Sequence, residues 1–176
     1  MKKRPLGQNF LIDANIAQNI VQLAQIQSNE PVVEIGPGPG GLTRSILAAG
    51  AEKVYAIEFD ERAVNALQPL QQAVGDRLEI IHGDATKQDL KALCASYGKP
   101  CKIIANLPYN IGTNLIIQWL DAASQHGNTA LQHFTVMLQK EVAERLVAKP
   151  GSKAYGRISV LMAWLTDAYA VFDVPP

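Results

Sequence analysis

Residues 32–43 read Val-Val-Glu-Ile-Gly-Pro-Gly-Pro-Gly-Gly-Leu-Thr, an apolar run that breaks into glycine and proline before helix-forming sequence resumes. Val32 to Ile35 reads as a buried strand and Leu42 to Ala49 as a helix. The turn between them has glycines at 36, 38 and 41, the G-x-G-x-x-G spacing in which missing side chains let a cofactor approach the backbone. Taken alone, the same spacing fits a tight strand-to-helix turn that holds no ligand.

Outward from this turn, short apolar runs alternate with helical periodicity. Val54 to Ile57, Leu78 to Ile81, Lys102 to Ala105 and Phe134 to Leu138 read as further buried strands. Glu61 to Leu70, Asp89 to Ala95 and Asn114 to Ala123 read as the helices between them, and Ile12 to Gln25, capped by Asp13, as an amphipathic helix before the first strand. Later come a helix at Lys140 to Ala148, an exposed loop at Pro150-Gly151-Ser152-Lys153, a helix at Ile158 to Leu165 and a strand at Ala168 to Val174. Such alternation predicts an α/β fold with a doubly wound, mostly parallel, Rossmann-like sheet. With 176 residues, 48% of them hydrophobic, and no repeat or linker, residues 1–176 are expected to form one domain.

Sixteen basic and sixteen acidic residues give zero formal charge, so any nucleic-acid affinity must come from a local patch. No apolar stretch approaches the roughly 20 residues that span a bilayer. The start, Lys2-Lys3-Arg4-Pro5, lacks a signal-peptide core, so a cytoplasmic protein without membrane partners is expected. Cys94 and Cys101 flank Tyr97-Gly98-Lys99-Pro100 and read as ordinary reduced thiols, and no metal site is expected.

The chemistry-bearing residues follow strand ends. Glu58 ends the second strand, 22 positions beyond Gly36, where a carboxylate can accept hydrogen bonds from both ribose hydroxyls of a nucleotide cofactor. Beside Asp60 and Glu61 it reads equally as a turn or cap residue. Gly83-Asp84-Ala85 follows the third strand, and Asp84 offers an acceptor where the adenine amino group of S-adenosylmethionine would lie, or else a simple Asx-turn. Asn106-Leu107-Pro108-Tyr109 follows the fourth strand.

This last tetrad separates the chemistries. The exocyclic nitrogen of adenine is a poor nucleophile because its lone pair is delocalised into the ring. Two acceptors, the Asn106 side-chain oxygen and a main-chain carbonyl in Leu107-Pro108, can hold its two hydrogens and aim the lone pair at a sulfonium methyl. Pro108 stiffens the loop, and Tyr109 would stack on a base taken out of its own stack. The sulfonium supplies the driving force, so neither a metal nor a covalent nucleophile is needed.

Taken together these residues resemble the ribosomal RNA adenine N6-dimethyltransferase family, and most of all its small-subunit (16S rRNA) branch. The blocks that carry the resemblance are Gly7-Gln8-Asn9-Phe10-Leu11, Glu34 to Thr43, Gly83-Asp84-Ala85, Asn106-Leu107-Pro108-Tyr109-Asn110-Ile111, Gln139-Lys140-Glu141-Val142-Ala143 and Tyr155-Gly156-Arg157-Ile158-Ser159. The resemblance implies an S-adenosylmethionine-dependent methyltransferase fold and dimethylation of two adjacent adenines in a hairpin loop of small-subunit rRNA, in the course of ribosome biogenesis. It implies that Asn9 and Leu11 close over the cofactor, that Gly36 lies against its methionine part, and that Glu58 and Asp84 hold its ribose and adenine. Asn106 would contact both cofactor and target. Tyr109 and Phe172 would sandwich the target base, whereas Phe172 read alone is a core residue.

Two departures from the family stand out. After Val174-Pro175-Pro176 the family continues into a last antiparallel strand and a small helical domain, so a shortened chain is expected, one that binds cofactor but methylates RNA weakly. The neutral charge is unusual for a protein that docks on rRNA or an immature small subunit; Lys2, Lys3, Arg4, Lys140, Arg145, Lys149, Lys153 and Arg157 are the candidate basic surface. A monomer is the default. Three other readings stay open: a large-subunit adenine methylase of the macrolide-resistance type, a binding-only descendant, and an NAD-dependent oxidoreductase. The last leaves Asp84 and Asn106 to Tyr109 unexplained, with His82, His126 and His133 poorly placed for hydride transfer.

Overall fold

The computed structural model describes residues 13–107, 111–124 and 131–174, which fall into two compact units divided in the chain between Met137 and Leu138. The first unit contains β1 (Pro31–Ile35), β2 (Lys53–Glu58), β3 (Leu78–His82), β4 (Cys101–Asn106) and β5 (Leu131–Met137) in the spatial order β3-β2-β1-β4-β5. Every pairing is parallel, with Glu34 opposite Ala56 on one side and Ile104 on the other. The chain builds outward from β1 to the β3 edge, then returns to place β4 on the other flank of β1. The switch point of this doubly wound sheet therefore lies between β1 and β4, where such sheets bind ligands beyond their carboxyl ends.

Burial on both faces of β1, β2 and β4 explains their unbroken apolar runs. One face carries Val32, Val54, Ala56, Leu78 and Ile104, packed against α1 (Ala14–Ala24), α2 (Gly41–Ala48) and α3 (Glu61–Val74). The other face meets α4 (Leu90–Tyr97) and α5 (Gly112–Ser124) through an edge-to-face contact of Tyr55 with Tyr97, centroids 6.3 Å apart, and a tilted ring contact of Trp119 with Phe134 at 5.7 Å. Asp13 caps α1 as expected, its carboxylate accepting from the Asn15 and Ile16 amides at 2.8 and 3.4 Å.

One helix outruns its sequence reading. α3 continues through Pro69 to Val74 because Leu67, Leu70 and Val74 pack into the core, and that burial outweighs the hydrogen bond Pro69 cannot donate. It stops at Gly75, whose φ is 60°.

The second unit holds α6 (Lys140–Leu146) and α7 (Arg157–Leu165). Ser159, 1% exposed, ties the two together by donating to the Arg145 carbonyl at 2.7 Å and accepting from the Gly156 amide at 3.1 Å. The strand expected at Ala168 to Val174 is not formed: residues 166–174 belong to no strand, and Tyr169, Val171, Phe172 and Val174 are exposed. A β-rich sequence becomes a strand only when a neighbour satisfies its amides and carbonyls, and none pairs with this one among the described residues. No helix among the described residues is long and apolar enough to cross a membrane.

Candidate cofactor site at the sheet switch point

Four strand ends deliver the residues singled out in the sequence in lateral order: Asp84 after β3, Glu58 on β2, Gly36 after β1 and Asn106 on β4. At the roughly 4.8 Å spacing of neighbouring strands the row spans about 14 Å. The Gly36 amide donates to Ile57 O at 3.0 Å and the Gly83 amide to Glu58 O at 2.9 Å, so the ladders run right up to the turns and fix their height. Gly36 has φ 69°, and a Cβ there would stand 3.6 Å from the Asn106 carbonyl oxygen. Glycine at this position gives the turn its left-handed geometry and keeps the cleft between β1 and β4 clear of side chain.

Glu58 is buried at 4% exposure and holds the turn together. Its Oε2 accepts from the Gly38 amide at 3.0 Å, while its Oε1 accepts from the Phe59 and Asp60 amides at 2.8 Å each. Two lone pairs of Oε1 are thus taken, and Oε2 keeps capacity for a ligand hydroxyl. Asp84 caps a short 3-10 turn, Ala85–Lys87, its Oδ1 accepting from the Thr86 hydroxyl at 2.7 Å and amide at 2.9 Å. These bonds, with the Lys87 ammonium 4.0 Å away, hold its carboxyl below the usual range and keep it an acceptor. The Asx-turn reading and the acceptor reading of Asp84 are therefore compatible, since Oδ2 takes no part in the cap.

A third acid went unassigned in the sequence. Glu34, one residue before the end of β1, is 1% exposed, and neither of its oxygens has a hydrogen-bond partner. By the period of two it lies on the face covered by α1 to α3, as do Glu58 and Asn106. Burial pushes its carboxyl up to about 8; the Thr43 hydroxyl partly offsets this, though without a hydrogen bond of ordinary geometry, and the Glu58 charge adds to the rise. An acid inside Val32-Val33-Glu34-Ile35 is the signal that could have drawn notice to it, because strands buried on both faces seldom carry one.

Leu107 is buried at 4% exposure, its amide donating to Met137 O at 3.2 Å, which anchors the start of the Leu107-Pro108-Tyr109 segment on β5. Asn9, Leu11, Pro108 and Tyr109 lie outside the described residues. Phe172 belongs to the second unit and is 43% exposed, not the core residue that an unaided reading gives. Lys140, Arg145, Lys149, Lys153 and Arg157 are all exposed in the second unit, where Lys140 pairs with Asp173. The His82 ring lies 3.2 Å from the Phe59 carbonyl, tying two loops together. Cys94 and Cys101 are buried free thiols.

A doubly wound parallel sheet with a glycine-rich turn, a buried acid on the next strand and an Asn-bearing strand end at the switch point is the architecture of a Rossmann-like methyltransferase fold. The sequence model of the ribosomal RNA adenine dimethylase family matches residues 1–176, and the chain belongs to that family. It is 51% identical over 174 residues to a ribosomal RNA small subunit methyltransferase A from Chelativorans sp. (strain BNC1), covering 99% of this chain and 62% of that relative. Among solved structures it is similar to a dimethyladenosine transferase from Plasmodium falciparum (TM-score 0.73, 31% identity, 87% of this chain and 51% of that one). It is also similar to the 23S rRNA methyltransferase ErmE (TM-score 0.65, 26% identity, 81% of this chain and 53% of that one). The chain thus spans less than two thirds of the length of these relatives.

Proposed function

We propose that this chain is the S-adenosylmethionine-binding catalytic core of an enzyme that dimethylates N6 of two adjacent adenines in a hairpin loop of small-subunit ribosomal RNA. The observation that carries the reading is the row Asp84, Glu58, Gly36 and Asn106 on four adjacent strand ends, in the order a nucleoside with an amino-acid tail requires. The residues fit that group: a carboxylate acceptor at each nucleoside position, a glycine where the tail meets backbone, and a buried acid without a donor beneath the turn. When bound, S-adenosylmethionine supplies an electrophilic methyl on a sulfonium.

The chain's own groups do the rest. Glu58 Oε2 accepts a ribose hydroxyl without giving up the Gly38 amide, and Asp84 Oδ2 accepts from the adenine amino group of the cofactor. Asn106 and the Leu107-Pro108 carbonyls hold the two hydrogens of the target amino group, so that its lone pair faces the cofactor. Tyr109 and Phe172 stack on the flipped base. Asn9 and Leu11 close over the cofactor. The whole of 1–176 belongs to this catalytic domain, and the cation-rich surface of Arg145, Lys149, Lys153 and Arg157 meets rRNA phosphates in the cytoplasm, the protein acting as a monomer.

The resemblance to a curated small-subunit enzyme at 51% identity, against 26% to a large-subunit methylase structure, favours the small-subunit target. The test is methyl transfer from labelled cofactor to small-subunit RNA lacking the modification, with dimethyladenosine located by mass spectrometry. Asn106→Ala should lower transfer at least a hundredfold and cofactor affinity far less. Transfer that survives this substitution contradicts the assignment of Asn106.

A further inference from the structure

No step of the proposed reaction uses Glu34, yet it is the most unusual group in the first unit. It is 1% exposed, both of its oxygens lack hydrogen-bond partners, and the Thr43 hydroxyl that covers it is buried and likewise unpartnered. These three atoms without partners belong to β1 and α2, the two elements that the glycine-rich turn joins. A carboxylate that deep, with no hydrogen bond of ordinary geometry and no cation, costs more than the same group held as a neutral acid.

Among the described residues, only the Thr43 hydroxyl favours the charged form of Glu34, and no cation faces it. β2 contributes Glu58, whose negative charge opposes ionisation of Glu34. Lys53 and Tyr55 lie on the other face of β2, Lys53 paired with Glu79 at 2.7 Å and Tyr55 turned to Tyr97. On β4, Cys101 is at the first position, and the Lys102 ammonium is bound to Glu30 and to the carbonyls of Ala24 and Gln25. On α2 the Arg44 guanidinium donates to the carbonyls of Pro39 and Gly40, and α1 has no titratable side chain. No cation of the described residues is among the groups that act on Glu34.

The missing partner is a cation that arrives with the ligand. S-adenosylmethionine carries two positive centres, the sulfonium and the α-ammonium, both in the tail that Gly36 would meet. We infer that Glu34 is the proton-carrying member of the cofactor site: a neutral acid in the cofactor-free protein, it gives its proton to solvent when the cationic cofactor settles on the glycine-rich turn, so that capture and proton release are one event. The O–H bond of the carboxyl breaks, the proton passes to water, and the carboxylate remains opposite the cation; departure of the cofactor reverses the step. This inference rests on the S-adenosylmethionine reading proposed above. Glu34 acts here as a positioning residue, one that prevents the two acids Glu34 and Glu58 from repelling each other until a positive charge is present.

The sign is fixed by the carboxyl, which is held neutral up to about pH 8 by burial. Binding that favours the ionised form grows stronger as pH rises toward that value, by up to about tenfold per pH unit. The full chain is titrated with S-adenosylmethionine by calorimetry from pH 6 to 8.5, in buffers of different ionisation enthalpy, alongside Glu34→Gln. The α-ammonium of the cofactor titrates near 8 itself, so the contribution of Glu34 is read from the difference between wild type and variant. Wild type is expected to release a further fraction of a proton and to show the steeper pH dependence. Carbon-13 NMR of the Glu34 carboxyl reads the same event without a variant: a neutral-acid shift in the free chain at pH 7, moving to the carboxylate position on adding cofactor. Equal proton release in both proteins, or a carboxylate shift already present in the free chain, overturns the inference and leaves the cofactor reading intact. Failure of wild type to bind S-adenosylmethionine at any pH overturns the cofactor reading, and the inference with it.

Discussion

Glu58 shows how much of the site is made by single side chains. Its carboxylate serves three amides, those of Gly38, Phe59 and Asp60, before any ligand is considered. Glu58→Gln replaces one acceptor oxygen with an NH2 that faces an amide donor whichever way it turns. The expected result is a stability loss of roughly 1–3 kcal/mol in urea unfolding and at least tenfold weaker cofactor binding, because one buried donor loses its partner. Glu34 has the opposite signature. Its carboxyl keeps its proton up to about pH 8 in the folded chain but ionises near 4.5 when unfolded, so the folded state holds the extra proton between those values. Stability from this group is therefore complete below pH 4.5 and is lost as pH rises to about 8. Glu34→Gln should flatten that decline, and urea midpoints at pH 5 and pH 8.5 should differ less in the variant than in wild type.

At the scale of elements, the turn after β1 is fitted to the helices around it. Gly40 begins α2 with φ 87°, and a Cβ there would meet Leu67 Cδ2 of α3 at 2.6 Å and Arg44 Nη1 at 3.0 Å. Gly98, after α4, has φ 76° and nothing within 4 Å of its would-be Cβ. Gly98→Ala should cost only backbone strain, about 1–2 kcal/mol, while Gly40→Ala adds overpacking of about 1–3 kcal/mol; thermal melts of the two variants check the ordering. The strand–turn–helix unit and the strands β2 and β4 beside it were legible because burial on both faces leaves unbroken apolar runs, and the half-buried edge strands β3 and β5 keep short apolar runs as well. Less legible were features that depend on partners. Pro69 marks a helix stop by its own chemistry but is carried through by the core contacts of Leu67, Leu70 and Val74. Ala168 to Val174 has strand composition but no neighbour to pair with among the described residues.

For the molecule as a whole, the sequence showed which residues follow strand ends, and the parallel order β3-β2-β1-β4-β5 turned those scattered positions into a row. Gly36, Glu58, Asp84 and Asn106 could be found because each stands just beyond or at the end of an apolar run. Glu34 stood out in the sequence only as an acid inside an apolar strand; that no cation from α1, α2, β2 or β4 faces it is seen only in the packed structure. The family match places the chain among rRNA adenine dimethylases; in the proposed reading Gly36 and Glu58 would serve a dinucleotide equally well, and Asn106 is the member of the row that a dehydrogenase would not need. The direct measurement is a calorimetric titration of the purified chain with S-adenosylmethionine and, in parallel, with NADH. Micromolar binding of S-adenosylmethionine without detectable binding of NADH is the predicted result; binding of NADH alone, or of neither, would contradict the assignment of this site to a methyl-donor cofactor.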